Sequence, residues 1–92
     1  MAVWQVYMVR CIDGSYYTGI TTDIPRRLLA HNAGRGAKYT RGRGPVELCY
    51  REPAESRAAA LKREAAIKRL PLTAKRRLAE GRSEHLSGFG LE

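Results

Sequence analysis

The alternation of hydrophobic and polar residues predicts three β-strands in the first half of the chain. Residues 3–12 and 15–21 are rich in β-branched and aromatic side chains, and Asp13-Gly14 between them is typical of a hairpin turn. Residues 46–51, Val-Glu-Leu-Cys-Tyr-Arg, alternate with a period of two, which predicts a third strand with one buried face formed by its first, third and fifth residues.

Three helices are predicted from strong helix formers and from residues that begin or end helices. Residues 24–32 carry Pro in the first turn and are followed by Gly34, a typical residue beyond a helix end. A long alanine-rich helix is predicted from Pro53 to about Leu70, and a short helix over 73–80. The order β-β-α-β-α-α indicates an α+β fold, with a small, mostly antiparallel three-stranded sheet flanked by helices.

Length and cysteine content limit the organisation of the chain. Ninety-two residues suffice for one domain, which we expect over residues 1–81, followed by a flexible tail over 82–92 that has no periodicity. The two cysteines lack the spacing of a zinc site or a disulfide framework, so we expect a reduced, cytoplasmic protein. No apolar run is long enough to span a membrane, and the N-terminus does not resemble a signal peptide.

The charge of the chain points to a polyanionic partner. Seventeen Lys and Arg residues against nine Asp and Glu residues leave a net charge of +8, which favours nucleic acid. Residues 34–45 contain four glycines, four basic residues and no acidic residue, so we expect an exposed loop. The alternative is a flexible solvated connection, and the basic run 75–77 is more simply explained as a solvated helix face.

Four residues that precede the basic loop are candidates for catalysis, two in the predicted hairpin and two in the first predicted helix. Tyr7 and Tyr17 bracket the predicted hairpin, although tyrosines in strands are most simply half-buried sheet residues. Arg27 and His31 are four residues apart and therefore project from one helix face, which is equally typical of a solvated basic surface. None of these residue types alone indicates an active site.

Glu64 stands out because its helical neighbours are apolar. Ala60, Leu61 and Ile67 lie four and three residues before it and three after it, which places a carboxylate on the apolar stripe of the long helix. A carboxylate in such surroundings needs a partner or a metal ion. The alternative is an ion pair with Lys68 at the i+4 position.

Taken together, these residues resemble a known family, the GIY-YIG nuclease domain, in its short stand-alone type. The resemblance spans residues 4–80 and rests on the following residues in this order: Gln5-Val6-Tyr7, Tyr17-Thr18-Gly19, Arg27, His31 and Glu64. The residues flanking the two tyrosines differ from the consensus motifs, since Gln5, Val6 and Thr18 replace glycine, isoleucine and isoleucine. No asparagine follows Glu64, unlike in some homing-endonuclease relatives, which weakens any expectation of a large, sequence-specific target.

The resemblance implies phosphodiester hydrolysis at one divalent metal ion, Mg²⁺ or Mn²⁺, held by Glu64. One of Tyr7 and Tyr17 would activate the attacking water, Arg27 would stabilise charge on the phosphoryl group and favour phenolate, and His31 would assist a tyrosine. We therefore expect an endonuclease of low sequence specificity.

The substrate is predicted from charge, with DNA favoured over RNA. Residues 24–51 contain seven basic residues and one acidic residue. The residues predicted to contact nucleic acid are Arg26, Arg35, Lys38, Tyr39, Arg41 and Arg43, with Tyr39 able to stack on a base. The alternative function is a non-catalytic DNA- or RNA-binding module on the same fold. Membrane binding is disfavoured because residues 54–70 are too alanine-rich to form a large apolar face.

A geometric prediction follows for the hairpin. Tyr7 and Tyr17 can share a face of an antiparallel pair only if the connecting loop has an odd number of residues or the pair contains a bulge. We therefore predict an odd loop, such as residues 13–15, or a bulge. A regular two-residue turn would instead put Tyr16 on the face of Tyr7.

Overall fold

A three-stranded antiparallel sheet with helices on both faces forms the protein. The computed structural model describes the backbone of residues 3–87 and the side chains of residues 3–81. Its strands lie in the order β2-β1-β3. The elements are β1 (Trp4–Arg10), β2 (Tyr16–Thr21), α1 (Ile24–Asn32), a 3₁₀ turn (Lys38–Thr40), β3 (Glu47–Ala54), α2 (Arg57–Lys68) and α3 (Leu72–Ser87). The predicted fold class and the order β-β-α-β-α-α are confirmed.

The hairpin between β1 and β2 has the predicted odd loop. Val9 lies opposite Tyr17, and Cys11 N–H donates to the Ser15 carbonyl at 2.8 Å, which leaves a turn of three residues. Because Tyr7 lies two residues before Val9 on β1, Tyr7 and Tyr17 point to the same face of the sheet. The turn residues are 12–14 rather than 13–15, but their number is odd, as predicted.

The central strand β1 is buried on both faces because helices cover both sides of the sheet. On one face, Val6 and Met8 pack against Ala60 and Ile67 of α2, with α3 side chains around them. On the other face, the buried cluster consists of Tyr7, Val9, Cys11, Ile24 and Val46, of which Ile24 is the first residue of α1. This second face, covered only in part by α1, carries the candidate site.

Strand β3 departs from the predicted alternation. Val9 pairs with Leu48, whereas the preceding residue of β1 pairs with Tyr50, so that Cys49 is an extra residue in a β-bulge. The bulge moves Leu48 to the cluster around Val9 and Tyr50 to the opposite face. The prediction that the first, third and fifth residues of 46–51 share one buried face is therefore wrong.

The long helix begins later than predicted. Strand β3 continues through Pro53 to Ala54, and α2 starts at Arg57. The Ser56 side chain caps this helix, since its Oγ accepts the Ala59 N–H at 3.0 Å. Proline is tolerated in β3 because this strand lies at the edge of the sheet, where a missing N–H can face solvent.

The last helix ends later than predicted. Helix α3 runs through Gly81 to Ser87, and Gly81 does not adopt the left-handed conformation that ends many helices. Glycine inside a helix costs only about 1 kcal/mol relative to alanine, which packing can offset. Residues 82–87 of the predicted tail are therefore helical, and 88–92 lie outside the described residues. No helix in the described part of the chain has the length and hydrophobicity that crossing a membrane requires.

Candidate functional site

Three predicted site residues from three different elements meet on the α1 face of the sheet. Tyr7 of β1, Tyr17 of β2 and His31 of α1 pack ring against ring, with centroid distances of 6.4 Å between the tyrosines, 5.9 Å from Tyr7 to His31 and 5.4 Å from Tyr17 to His31. The odd number of turn residues in the hairpin puts the two tyrosines on the same face of the sheet. Helix α1 is capped by Asp23, whose carboxylate accepts the Arg26 N–H, and it carries His31 over the two tyrosines.

Tyr7 and His31 form a buried hydrogen bond. The Tyr7 hydroxyl lies 2.8 Å from His31 Nε2, and each residue is only 1% exposed. Gly19 makes room for this hydroxyl, because a Cβ atom at that position would lie 2.7 Å from it. The pair is therefore held in a closely packed, water-poor environment.

Burial controls the protonation of this pair. Burial raises the pKa of Tyr7 to about 12, although nearby Arg27 acts to lower it. Burial also lowers the pKa of His31, and the charge of Arg27 lowers it further. Arg27 thus acts on Tyr7 in the predicted direction, but the desolvation outweighs it. Both side chains are neutral near pH 7, and phenolate is not favoured before substrate binds.

The basic loop, residues 34–45, which is also rich in glycine, contacts the other side of His31. His31 Nδ1 lies 2.8 Å from Thr40 Oγ1, and that hydroxyl donates to the Ala37 carbonyl at 2.9 Å. Thr40 is 1% exposed, so the prediction that all of residues 34–45 form an exposed loop is wrong. Gly36 passes directly over the imidazole, where a Cβ atom would lie 2.1 Å from Nδ1.

Asn32 connects the end of α1 to the third strand. Its Oδ1 accepts the Val46 N–H at 2.7 Å, and its Nδ2 donates to the Val46 carbonyl at 3.4 Å. The side chain thereby mimics a strand partner and fixes the helix turn that carries His31. Sequence reasoning missed Asn32, Gly36 and Thr40 because such residues are ordinary in loops, and no local pattern distinguishes those that bury a polar group.

Glu64 lies at the edge of the tyrosine pair, in an ion pair with Lys68. Lys68 Nζ is 3.3 Å from Glu64 Oε2 and 5.7 Å from the centroid of the Tyr17 ring. The Glu64 side chain is only 17% exposed, and its charge contributes to raising the pKa of Tyr7. The ion pair between Glu64 and Lys68, which was the alternative prediction from the sequence, is present and lies beside the tyrosine pair.

The donor set around Glu64 fits one kind of metal ion. Among the described residues, no group of three or more His, Cys, Asp or Glu side chains could hold a metal ion. Zinc requires such a group, whereas Mg²⁺ is usually bound by one or two carboxylates together with water and substrate phosphate. A single, mostly buried carboxylate therefore fits hydrated Mg²⁺ or the similar Mn²⁺.

Part of the basic loop packs against the site itself. The Tyr39 ring stacks on Tyr17 at 6.1 Å, and the Arg43 guanidinium lies 4.2 Å from the Tyr39 centroid. Arg43 also donates to the Asp13 carboxylate at 3.1 Å and to the Tyr39 carbonyl at 2.7 Å. Tyr39 and Arg43 therefore help to hold Tyr17 and tie the loop to the hairpin, a role that the sequence did not predict. Base stacking by Tyr39 stays a prediction.

The other predicted nucleic-acid contacts lie on α1 and on the loop of residues 34–45 that follows it. Their side chains are exposed, and none of them takes part in an ion pair with the described residues; they are Arg26, Arg35, Lys38 and Arg41. Arg27, closer to the tyrosines, is half-buried. The positive charges of the four exposed side chains thus have no ion-pair partner among the described residues.

Comparison with known proteins matches most of the chain to one family. The family model described as the GIY-YIG catalytic domain matches residues 3–77. The UPF0213 protein DP2720 of Desulfotalea psychrophila is 52% identical over 87 residues, which cover 94% of this chain and 79% of that protein. The UPF0213 protein VNG_2274C of Halobacterium salinarum is 56% identical over 66 residues, covering 72% of this chain and 86% of that protein.

A solved structure shares the fold. The solution NMR structure of the UPF0213 protein BH0048 from Bacillus halodurans is 44% identical and superimposes with a TM-score of 0.53. The match covers 87% of this chain and 84% of that chain.

Proposed function

Because this chain belongs to the GIY-YIG catalytic domain family, a family of nucleases, we propose that it is a metal-dependent endonuclease that hydrolyses phosphodiester bonds in DNA with low sequence specificity. The observation that carries the proposal is the buried hydrogen bond between Tyr7 and His31, set beside a carboxylate and an arginine. A phenol with a proton acceptor already in place is suited to removing a proton from water.

Tyr7 and His31 act together on the attacking water. Because the pKa of Tyr7 is raised to about 12, the hydroxyl is protonated at the start of the reaction. The Tyr7 oxygen takes a proton from water while its own proton passes to His31 Nε2 along the hydrogen bond, whose heavy atoms are 2.8 Å apart. In this step the water oxygen bonds to phosphorus as the P–O bond to the leaving strand breaks. The phenol is restored, the imidazolium carries the proton taken from water, and the leaving alkoxide takes a proton from solvent.

Arg27 and Tyr17 assist this step. The Arg27 guanidinium donates to the phosphoryl oxygens, whose negative charge grows as hydroxide attacks. Tyr17 packs on His31 and orients the water. Glu64 would hold Mg²⁺ or Mn²⁺, which when bound would supply Lewis-acid stabilisation of the reacting oxygens.

The ion pair at Glu64 gives a test of metal binding that does not depend on cleavage. Lys68→Gln removes the ammonium that competes for the carboxylate, so Mn²⁺ affinity is expected to rise roughly threefold to tenfold. Glu64→Gln should weaken binding strongly. Titration of Mn²⁺ followed by electron paramagnetic resonance measures both, with Lys62→Gln as the control because Lys62 is exposed on the same helix. Equal Mn²⁺ affinity in the Lys68 and Glu64 variants would contradict the role of Glu64.

The exposed basic residues position a DNA strand without selecting its sequence. Each phosphate contact adds about 0.9 to the slope of log affinity against log salt, so Arg41→Ala should lower the slope by up to about one. Arg43→Ala should change the slope less, because two of its donor groups are already bonded within the protein. Filter binding of duplex DNA at several salt concentrations measures the slopes. Arg77→Ala on α3 is the control, and a salt-independent affinity of the wild type would remove the electrostatic basis.

The alternative, a non-catalytic DNA- or RNA-binding module, is favoured by one observation. The Glu64 carboxylate already has a cationic partner in Lys68. Incubation of the purified chain with labelled single-stranded, duplex and branched DNA, with and without Mg²⁺ or Mn²⁺, separates the two functions. Metal-dependent cleavage supports the nuclease, and binding without cleavage of any form supports the module. The two free cysteines favour a reducing compartment, and we propose the cytoplasm.

A further inference from the structure

We propose that Thr40 is a positioning residue that sets the tautomer of His31, so that the unprotonated Nε2 always faces Tyr7. The inference concerns a hydrogen-bond chain that runs from the sheet through α1 to the glycine-rich loop. It rests on the proposed function for its catalytic consequence, whereas the tautomer itself is a property of the folded protein.

This hydrogen-bond chain consists of four groups, with a short distance between each group and the next. Tyr7 Oη lies 2.8 Å from His31 Nε2, His31 Nδ1 lies 2.8 Å from Thr40 Oγ1, and Thr40 Oγ1 lies 2.9 Å from the Ala37 carbonyl oxygen. The three side chains are each 1% exposed. In the free protein these nearly fully buried donors and acceptors must be satisfied mainly by one another.

Only one arrangement of protons makes hydrogen bonds of all three short distances. A threonine hydroxyl has a single proton, and a carbonyl oxygen can only accept. With the Thr40 proton donated to Ala37, the Thr40 oxygen accepts from Nδ1–H, and Nε2 is left to accept from the Tyr7 hydroxyl. All three short separations are then hydrogen bonds.

The opposite tautomer leaves the buried Tyr7 hydroxyl proton without a partner, although the Ala37 carbonyl would keep its bond from the Thr40 N–H at 3.1 Å. With the proton on Nε2, the Tyr7 oxygen would accept, and its own proton would have no acceptor among the hydrogen-bond partners in the described part of the chain. Thr40 would turn its proton to Nδ1 and lose the Ala37 carbonyl. The only bond gained is from the Ala37 N–H to Nδ1, at a long 3.4 Å.

The loop is built to bring Thr40 to this position. Gly34, with a φ of +78°, ends α1 and turns the chain back towards the helix. Gly36 lies where any larger residue would collide with the imidazole. The 3₁₀ turn Lys38–Thr40 then points the hydroxyl inward. The basic loop therefore has an inner side that orients a catalytic group, besides its charged outer side.

The catalytic consequence concerns the proton that leaves Tyr7. A neutral imidazole with a free Nε2 takes this proton directly, and the resulting imidazolium keeps its Nδ1–H bond to Thr40. In the other tautomer, Nε2 already carries a proton and cannot accept one. Loss of the Thr40 hydroxyl should therefore reduce the fraction of molecules that are ready to react.

The experiment compares Thr40→Val, which has the shape of threonine but no hydroxyl, with Thr40→Ser, which keeps the hydroxyl. The chain contains two histidines, so a His85→Gln background leaves His31 as the only one. Protonated and unprotonated ring nitrogens give separate ¹⁵N resonances, and the tautomer is read directly in the full-length protein. Amide spectra of each variant report whether it is folded.

We expect Nδ1–H in the wild type and in Thr40→Ser, and a mixed or Nε2–H population in a folded Thr40→Val. DNA cleavage should fall roughly tenfold to a thousandfold in Thr40→Val and recover in Thr40→Ser. An Nε2–H tautomer in the wild type, or an unchanged tautomer in Thr40→Val, would overturn the inference. If Thr40→Val is unfolded, the wild-type and Thr40→Ser spectra still decide between the tautomers. If the wild type has Nδ1–H but cleaves no DNA, the proposed function fails while the assignment of the tautomer stands.

Discussion

Replacing Glu64 with glutamine is expected to reduce DNA cleavage by about three to four orders of magnitude without unfolding the protein. Glutamine keeps the length and the helix propensity of the side chain but removes the negative charge that attracts a divalent cation. A metal ion supplies several kcal/mol of transition-state stabilisation, and each 1.4 kcal/mol corresponds to about tenfold in rate. The measurement is single-turnover cleavage of labelled DNA with Mg²⁺ or Mn²⁺ in excess.

Stability and DNA binding should change little in this variant. The ion pair between Glu64 and Lys68 contributes at most roughly 0.5 kcal/mol, because the lysine side chain is 50% exposed and the pair is partly screened. DNA affinity measured without metal should be unchanged or slightly tighter, since a negative charge is removed from a surface that faces phosphates. Urea unfolding and filter binding check these two expectations.

Glu47→Gln is the matched control for this experiment. Glu47 also forms an ion pair, with Arg10 at 3.6 Å, but its side chain is 75% exposed and lies outside the tyrosine pair. Its loss removes one carboxylate and one surface ion pair without touching the site, so cleavage should stay at the wild-type rate. Cleavage by a folded Glu64→Gln protein at that same rate would show that Glu64 only pairs with Lys68.

Removing the Tyr7 hydroxyl is expected to affect both chemistry and stability. Tyr7→Phe deletes the group that takes the proton from water, for which a loss of about 10² to 10⁴ in cleavage rate is typical. It also leaves His31 Nε2 buried without its hydrogen-bond donor, which costs roughly 1 to 3 kcal/mol of folding free energy. Cleavage must therefore be measured well below the unfolding temperature of the variant, determined by circular dichroism.

Tyr16→Phe provides the control on the neighbouring strand position. Tyr16 lies beside Tyr17 but packs into the cluster on the opposite face of the sheet, so its hydroxyl is remote from His31. We expect wild-type cleavage from Tyr16→Phe and a smaller loss from Tyr17→Phe than from Tyr7→Phe. A larger loss from Tyr17→Phe would assign the proton acceptor to Tyr17 instead.

The order of the elements and the parity of the hairpin could be predicted because both depend on neighbouring residues. Alternation identified the strands, and a tyrosine pair that must share a face required an odd loop, which is present between β1 and β2. The set Tyr7, Tyr17 and His31 was also predicted as one site, and these residues do meet. Periodicity predicts the strands and the odd turn without any knowledge of long-range contacts. The grouping of the three site residues came from the family resemblance, since residue type alone left them as ordinary sheet and surface residues.

The ends of the elements and the state of the site depended on contacts between distant parts of the chain. Pairing of β3 with β1 placed a bulge at Cys49, and it carried the strand through Pro53, where helix propensity had predicted a helix. Burial kept Tyr7 protonated despite Arg27, because desolvation depends on everything packed around the hydroxyl. His31 is 24 residues from Tyr7 and nine from Thr40, so the partners of its two nitrogens are defined only when sheet, helix and loop pack together. The sequence by itself determined the order of the elements and, through the family resemblance, named Tyr7, Tyr17 and His31 together as candidates. The tertiary structure decided which buried groups their polar atoms contact, because those contacts join distant parts of the chain.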